Sequence, residues 1–186
     1  KDAAEAAARF FAEKSVRRVI IGGTEDNVSP FQNQLPKAWQ SLVIGTFPIS
    51  MIASKDEVLE RAIRIVMNAD ARRDAKLVEA VITGAAKGRG AVVNLEDTLR
   101  AVHDGRVQTL LFKEAYRAKG CLCTDCGYIT SEDIAKCPYC GGEFDQIPDV
   151  IELAVRKVMA SGGEVEVLQD DLGLESYEHI GAVLRY

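Results

Sequence analysis

Hydrophobic and polar positions switch between two periods along this chain, and the switches mark out the elements. Residues 2–14, DAAEAAARFFAEK, are Ala-rich with interspersed charge and predict a helix. The run VRRVIIGG predicts a buried strand ending at Gly22 and Gly23. NVSPFQNQLPKAW then reads as a short helix, with Ser29 as N-cap and Pro30 at the first helical position. SLVIGTFPI reads as a second strand. Strand, helix, strand in this order is an α/β unit.

Ser54 opens a longer helix, and Glu57 three residues on completes a capping box. Leu59, Ala62, Ile63 and Val66 recur at helical spacing, with Glu60 and Arg64 as a favourably oriented i,i+4 pair. The pattern continues through Leu77, Val78, Val81 and Ile82 and stops at Gly88. No Pro/Ser-rich linker interrupts it, so the domain boundary is expected inside the helical stretch, as a helix-to-helix junction near Asn68–Arg73. Beyond it, VVN leads into a helix capped by Asn94 with Leu95, Leu99 and Val102 facing inward. Asp104–Gly105 turns the chain into the strand VQTLLFKEA. A helix from about Pro148, a strand EVEVL and the closing run IGAVLRY complete a second alternating part. The fold class is therefore α/β in two parts, residues 1–68 and 69–186, with an insertion at about 119–146.

Apolar residues make up 47% of the 186, enough for one large core or two small ones. No apolar run approaches the roughly 18 residues of a membrane span, so no membrane is expected. No signal peptide pattern is visible, and a chain starting at Lys1 without Met reads as a fragment. The net charge of −5 is uneven: residues 69–186 carry fourteen Lys/Arg against twenty Asp/Glu, whereas residues 1–68 carry nine against eight. The second part lacks the broad positive field that non-specific nucleic-acid binding needs, and a protein partner is the default for it.

All five cysteines fall between Cys121 and Cys140. Cys123-x2-Cys126 and Cys137-x2-Cys140 can each fold into a tight knuckle, and two facing knuckles supply the tetrahedral sulfur set that zinc prefers. Gly127 and Gly141 follow the pairs, where glycine lets the backbone turn and aim N–H groups at the thiolates. Four thiolates leave no open position, so the zinc is expected to be structural rather than catalytic. Redox CxxC motifs usually begin a helix in a thioredoxin-like pattern, which is missing here. Clustered thiols also point to metal in a reducing compartment, hence the cytoplasm. Cys121 is left as a free thiol on the approach strand. Asp125, Glu132, Asp133, Glu143 and Asp145 oppose only Lys119 and Lys136 in this loop, which disfavours RNA binding by it.

Elsewhere the residues offer no catalytic group. His103 ends a helix beside a turn, and His179 sits in ESYEHIG, a surface-turn pattern. Gly22–Gly23 follows a strand, but no phosphate-loop consensus comes after it. KGRG at 87–90 reads more readily as a helix C-cap with favourable cations than as a phosphate contact. Asp170–Asp171 reads as a solvated acidic pair.

These strings carry a resemblance. RRVIIGGTEDNVSPFQNQLP and LVIGTFPISMIASKDEVLERA resemble the last third of the middle domain of archaeal and eukaryotic-type peptide chain release factors. NLEDTLRAVHDGRVQTLLF is similar to the start of their C-terminal domain, and IGAVLRY to its closing strand. The cysteine insertion sits where several archaeal members carry a zinc ribbon, and the similarity looks strongest to bacterial proteins of the superfamily. The resemblance implies a partial RNase H-like middle domain at 1–68. It implies a mixed-sheet α/β sandwich, related to kink-turn-binding ribosomal proteins, at 69–186. In the family the middle domain carries a Gly-Gly-Gln loop that promotes peptidyl-tRNA hydrolysis, and the C-terminal domain docks a translational GTPase. Here Gly22–Gly23 is followed by Thr24, so this chain is not expected to be an enzyme, and the reacting loop is expected before Lys1. The partners implied are the ribosome, ribosomal RNA through the middle domain, and the GTPase. The expected role is termination; the alternatives are Pelota-like rescue, which shares both domains without the loop, or a binding module of the same fold.

Overall fold

The computed structural model describes residues 2–186. These divide into two compact units, the first ending at Arg73 and the second running Asp74–Tyr186.

The first unit opens with α1 (Asp2–Glu13), followed by β1 (Val19–Gly23), α2 (Glu25–Gln34), α3 (Lys37–Gln40) and β2 (Val43–Pro48). β1 and β2 pair in parallel, as the strand–helix–strand pattern requires. The helix between them starts earlier than its sequence predicts. Thr24, not Ser29, is the N-cap residue: its carbonyl accepts from Asn27 and Val28 N–H, and Glu25 and Asp26 bring negative charge to the helix N-terminus. Pro30 therefore lies inside α2 rather than at its first position, and Pro36 separates α2 from α3. The unit's core is Ala4, Val19, Ile21 and Leu35, with Phe11, Phe31 and Trp39 packed against it.

α4 runs unbroken from Lys55 to Ala86, so the expected junction near Asn68–Arg73 is one continuous helix and not a meeting of two. Ser54 caps it through the Glu57 N–H, as the capping box predicts. Its early apolar stripe is only partly used. Ala62 and Val66 are half-buried, but Leu59 and Ile63 are exposed, because a two-stranded sheet is too narrow to cover the whole stripe.

In the second unit the last turns of α4 precede β3 (Ala91–Val93), α5 (Leu95–His103) and β4 (Val107–Lys113). After the cysteine insertion come α6 (Val150–Ala160), β8 (Glu164–Leu168), a short 3-10 turn at Leu174–Tyr177 and β9 (Ile180–Leu184). The sheet order is β3-β9-β4-β8. β4 pairs in parallel with β8 and antiparallel with β9, so the sheet is mixed. β4 is apolar on both faces because both are covered: Leu110 packs with residues of α5 and α6, and Leu111 with Val78 and Val81 of α4. This is the α/β sandwich expected for the second part. Among the described residues, no helix is long and apolar enough to cross a membrane.

The insertion forms its own antiparallel sheet in the order β6-β5-β7, from β5 (Gly120–Cys123), β6 (Ile129–Thr130) and β7 (Phe144–Ile147). It leaves the sandwich after β4 and returns at α6, whose N-cap Asp149 accepts from the Ile151 N–H.

Candidate metal centre

Two tight turns bring the four predicted sulfurs together. The Gly127 N–H donates to the Cys123 carbonyl at 3.0 Å and the Gly141 N–H to the Cys137 carbonyl at 2.8 Å. Both glycines adopt positive φ, 73° and 75°, the conformation expected of the residue after each pair. As a result the Sγ atoms of Cys123, Cys126, Cys137 and Cys140 all lie within 4.8 Å of one another. Cys123 faces Cys140, and Cys126 faces Cys137, each pair at 3.5 Å. A tetrahedral zinc with bonds of about 2.3 Å sets its sulfurs roughly 3.8 Å apart, so this set fits one ion with little adjustment.

Electrostatics support the fit. Backbone N–H groups of Cys126 and Asp125 hold the Cys123 thiol down at about 7. The Gly142 N–H pulls Cys140 the same way, but hydrogen bonds from the neighbouring thiols, with burial, push it up to about 12. Four sulfurs this close share protons instead of ionising together; a divalent cation removes that conflict. Cys121 lies on β5, paired with Thr130 and Gln146, and is not one of the converging four.

The ribbon does not hang free of the sandwich. α5 presents Glu96, Arg100 and His103 to it at i, i+4 and i+7. The Glu96 carboxylate accepts from the Thr130 hydroxyl at 2.8 Å, the Ser131 N–H at 2.5 Å and the Ser131 hydroxyl at 2.6 Å. The Arg100 guanidinium lies 3.9 Å from the Glu132 carboxylate of the ribbon. The His103 ring packs on Tyr139 and Tyr128, with centroids 4.2 and 5.2 Å away. Burial, reinforced by the Lys157 cation, holds His103 below the ordinary imidazole value, so it serves as a neutral aromatic partner at neutral pH. The helix end and its turn do not account for this histidine. The polar stripe beside Leu95, Leu99 and Val102 is the sequence signal for this clamp.

Two other sequence readings change. His179 is not a simple surface-turn residue: its Nδ1 lies 2.5 Å from the Asp171 carboxylate, which also accepts from Lys113 Nζ at 2.6 Å. Asp171 is thus engaged rather than solvated, while neither histidine is drawn to the cysteines' four-sulfur cluster. Asn94 does occupy the N-cap position of α5, but its side chain makes no cap hydrogen bond. The carboxylate of Glu178 accepts from the Leu95 N–H instead, at 2.9 Å. KGRG ends α4 as a C-cap, with the Arg89 N–H bonded to the Gly84 carbonyl.

Comparison with known proteins adds sequence evidence for the first part and fold evidence for the whole. Residues 1–67 match the model of bacterial archaeo-eukaryotic release factor family 10. Saccharomyces cerevisiae Dom34, described as a translation termination-like factor involved in RNA quality control pathways and interacting with Hbs1, aligns over 98% of this chain and 51% of its own, with a TM-score of 0.63 and 12% identity. A model of ribosome-bound archaeal Pelota and ABCE1 aligns over 100% of this chain and 48% of that one, with a TM-score of 0.59 and 19% identity. The C-terminal domain of a peptide chain release factor from Methanosarcina mazei aligns over 73% of this chain and 97% of that one, with a TM-score of 0.50 and 17% identity. The chain thus spans about half the length of the Pelota and Dom34 chains. No curated protein sequence matches it. Sequence over residues 1–67 and fold over the whole chain therefore carry one resemblance, to the archaeo-eukaryotic release-factor superfamily.

Proposed function

We propose that this chain is the ribosome- and partner-binding portion of a release-factor-like protein acting in translation termination in the cytoplasm, with residues 1–68 as the end of a middle domain and 69–186 as a C-terminal domain. The observation that supports this best is the coincidence, in one chain, of the family 10 match at 1–67 with a fold alignment to a Pelota structure that runs the full length of this chain and 48% of that one. The second part supplies binding to a protein partner, a translational GTPase. Its acidic balance suits a protein surface better than a nucleic acid. Ribosomal RNA is assigned to the first part, whose charges balance.

Cys123, Cys126, Cys137 and Cys140 hold one structural zinc, which ties the two knuckles of the ribbon together and leaves no coordination position for a water nucleophile. The chain has no Gly-Gly-Gln, and it contributes positioning rather than hydrolysis. Co-sedimentation with ribosomes, before and after truncation of residues 69–186 from the longer protein, tests the reading. Truncation is expected to weaken partner association more than peptide release. Peptide release by this chain alone, abolished by substituting His103 or His179, would overturn the assignment. Elemental analysis reads the metal directly, and a metal-free chain with unchanged thermal stability would remove zinc from the proposal.

A further inference from the structure

β3 ends the four-stranded sheet on the side away from β8 and pairs with β9 alone. The Gly90 carbonyl accepts from the Leu184 N–H, and the register continues without a shift through Ala91↔Val183, Val92↔Ala182 and Val93↔Gly181. Bonded residues alternate in an antiparallel pair, so Val92 faces β9 while Ala91 and Val93 turn their N–H and C=O groups outward. No proline blunts this edge. Gly90 and Asn94, at φ of 66° and 68°, bound the extended stretch on either side.

A cleft of about 630 Å³ follows the edge and is lined by all three residues of the strand. Ala91 and Val93 pack toward α4, whose Ile82, Ala85 and Ala86 form one wall. Val92 packs on the other face of the sheet, where Asp97 of α5 forms the second wall. The alanines leave room for a larger apolar side chain beside the strand. Arg89 and Arg106 line the Gly90 end of the cleft, where Leu184 partners both Gly90 and Val107. Arg89 is exposed, and Arg106 makes only a long contact, 3.4 Å, to the Tyr186 main-chain oxygen. Asp97 is the one acidic side chain among the lining residues, and it lies 3.9 Å from Arg100.

We propose that the β3 edge docks an extended segment of a partner protein as a fifth, antiparallel strand, apolar on the side facing α4 and acidic at its C-terminal end. Antiparallel pairing is the more stable ladder per residue, and it brings that end to Arg89 and Arg106. Main-chain bonds to Ala91 and Val93 supply affinity, while the alanine wall and the two arginines select the sequence. Asp97 beside the path disfavours a nucleic-acid backbone. The surface is read from the edge itself, so it stands or falls independently of a translational role.

The test titrates capped peptides that alternate Val and Thr into the 186-residue chain, one ending in a pair of Glu and its counterpart in a pair of Lys. Residues 69–186 are acidic overall, so non-specific attraction would favour the Lys ending. The Glu peptide is nevertheless expected to bind at least about ten-fold more tightly. It should slow amide exchange at Ala91 and Val93, whereas Val92, already bonded to β9, should not change. Of the two alternating N-methylation patterns of this peptide, one is expected to abolish binding and the other to be tolerated, because only alternate residues donate to a given neighbour. Arg89→Glu combined with Arg106→Glu should remove the preference for Glu while Leu110 amide protection stays unchanged. Absence of binding, a preference for Lys, equal effects of both methylation patterns, or protection that appears away from β3 would overturn the proposal. So would a short oligouridylate that protects Ala91 and Val93 in the peptide's place, or protection that grows with protein concentration without peptide, which would mean self-pairing.

Discussion

The α/β sandwich and the ribbon inserted into it bury very different amounts of apolar surface. Leu99, Leu110, Ile151 and Ile180 of the sandwich are at most 1% exposed, within one continuous core. The ribbon's own cluster contains only Cys123, Tyr128 and Cys137, with Ile134 and Phe144 at its margin. So short a segment cannot offset the entropy of ordering by apolar burial alone. It adds a sulfur cluster on one side and, on the other, a polar clamp to α5 and an apolar seam in which Ile129, Leu122 and Ile147 pack into the sandwich core. The sandwich should therefore survive the loss of the ribbon, the ribbon should not survive the loss of its metal, and loss of the clamp should loosen the strand that it holds.

The largest effect expected is metal removal. Structural zinc contributes about 10–16 kcal/mol in small zinc-finger peptides, and here that energy would be folding energy of the ribbon. Cys137→Ser should lose the ion and the amide protection of residues 120–147, while the sheet amides of β4 and β9 keep theirs. Hydrogen exchange before and after chelation reads both regions together, and equal loss in both would erase the distinction. Cys121→Ser should leave metal content unaltered.

Leu110→Ala attacks the other side of the comparison. A fully buried leucine truncated in a packed core costs about 2–5 kcal/mol, and denaturant unfolding of the sandwich should report it while the metal stays bound under native conditions. Glu96→Ala is next. It removes the acceptor of three hydrogen bonds from Thr130 and Ser131, leaving the buried Thr130 hydroxyl without that partner, for about 1–3 kcal/mol. Its signature should be faster exchange in β6 with the sulfur cluster intact. Glu178→Gln weakens the cap on Leu95 N–H by about 1 kcal/mol, and the fraying should be confined to the first turn of α5.

The smallest effect is a pH dependence. Hydrogen bonds from Lys113, and then from His179, hold the Asp171 carboxyl below its usual 3.8. A carboxyl depressed by folding stabilises the native state fully above its ordinary value, and that contribution disappears as pH falls through the lower folded value. Asp171→Asn should therefore flatten the acid limb of the stability curve below about pH 4. An unaltered acid limb would show that the Lys113–Asp171–His179 contact does not persist in solution.

Local pattern was sufficient for much of this molecule. CxxC spacing with trailing glycines specified the four converging sulfurs, because a knuckle is built from neighbouring residues and needs little beyond its own backbone. The capping box at Ser54–Glu57, the apolar face of α5 and the strand that became β4 were legible for the same reason: period and capping are short-range. Where two short-range signals compete, the stronger-looking one misleads: Ser29–Pro30 has the pattern of a helix start, but Thr24 makes the start instead. Tertiary structure alone decided the rest. Glu178 replaces Asn94 as the working cap across 83 positions of chain, Glu96 reaches Thr130 across 34, and Asp171 joins Lys113 across 58. A carboxylate on an exposed turn and one that closes a distant helix look alike in sequence. What separates them is which unpaired N–H or ammonium the folded chain brings within about 3 Å, and that distance is set by packing rather than by the residues alongside.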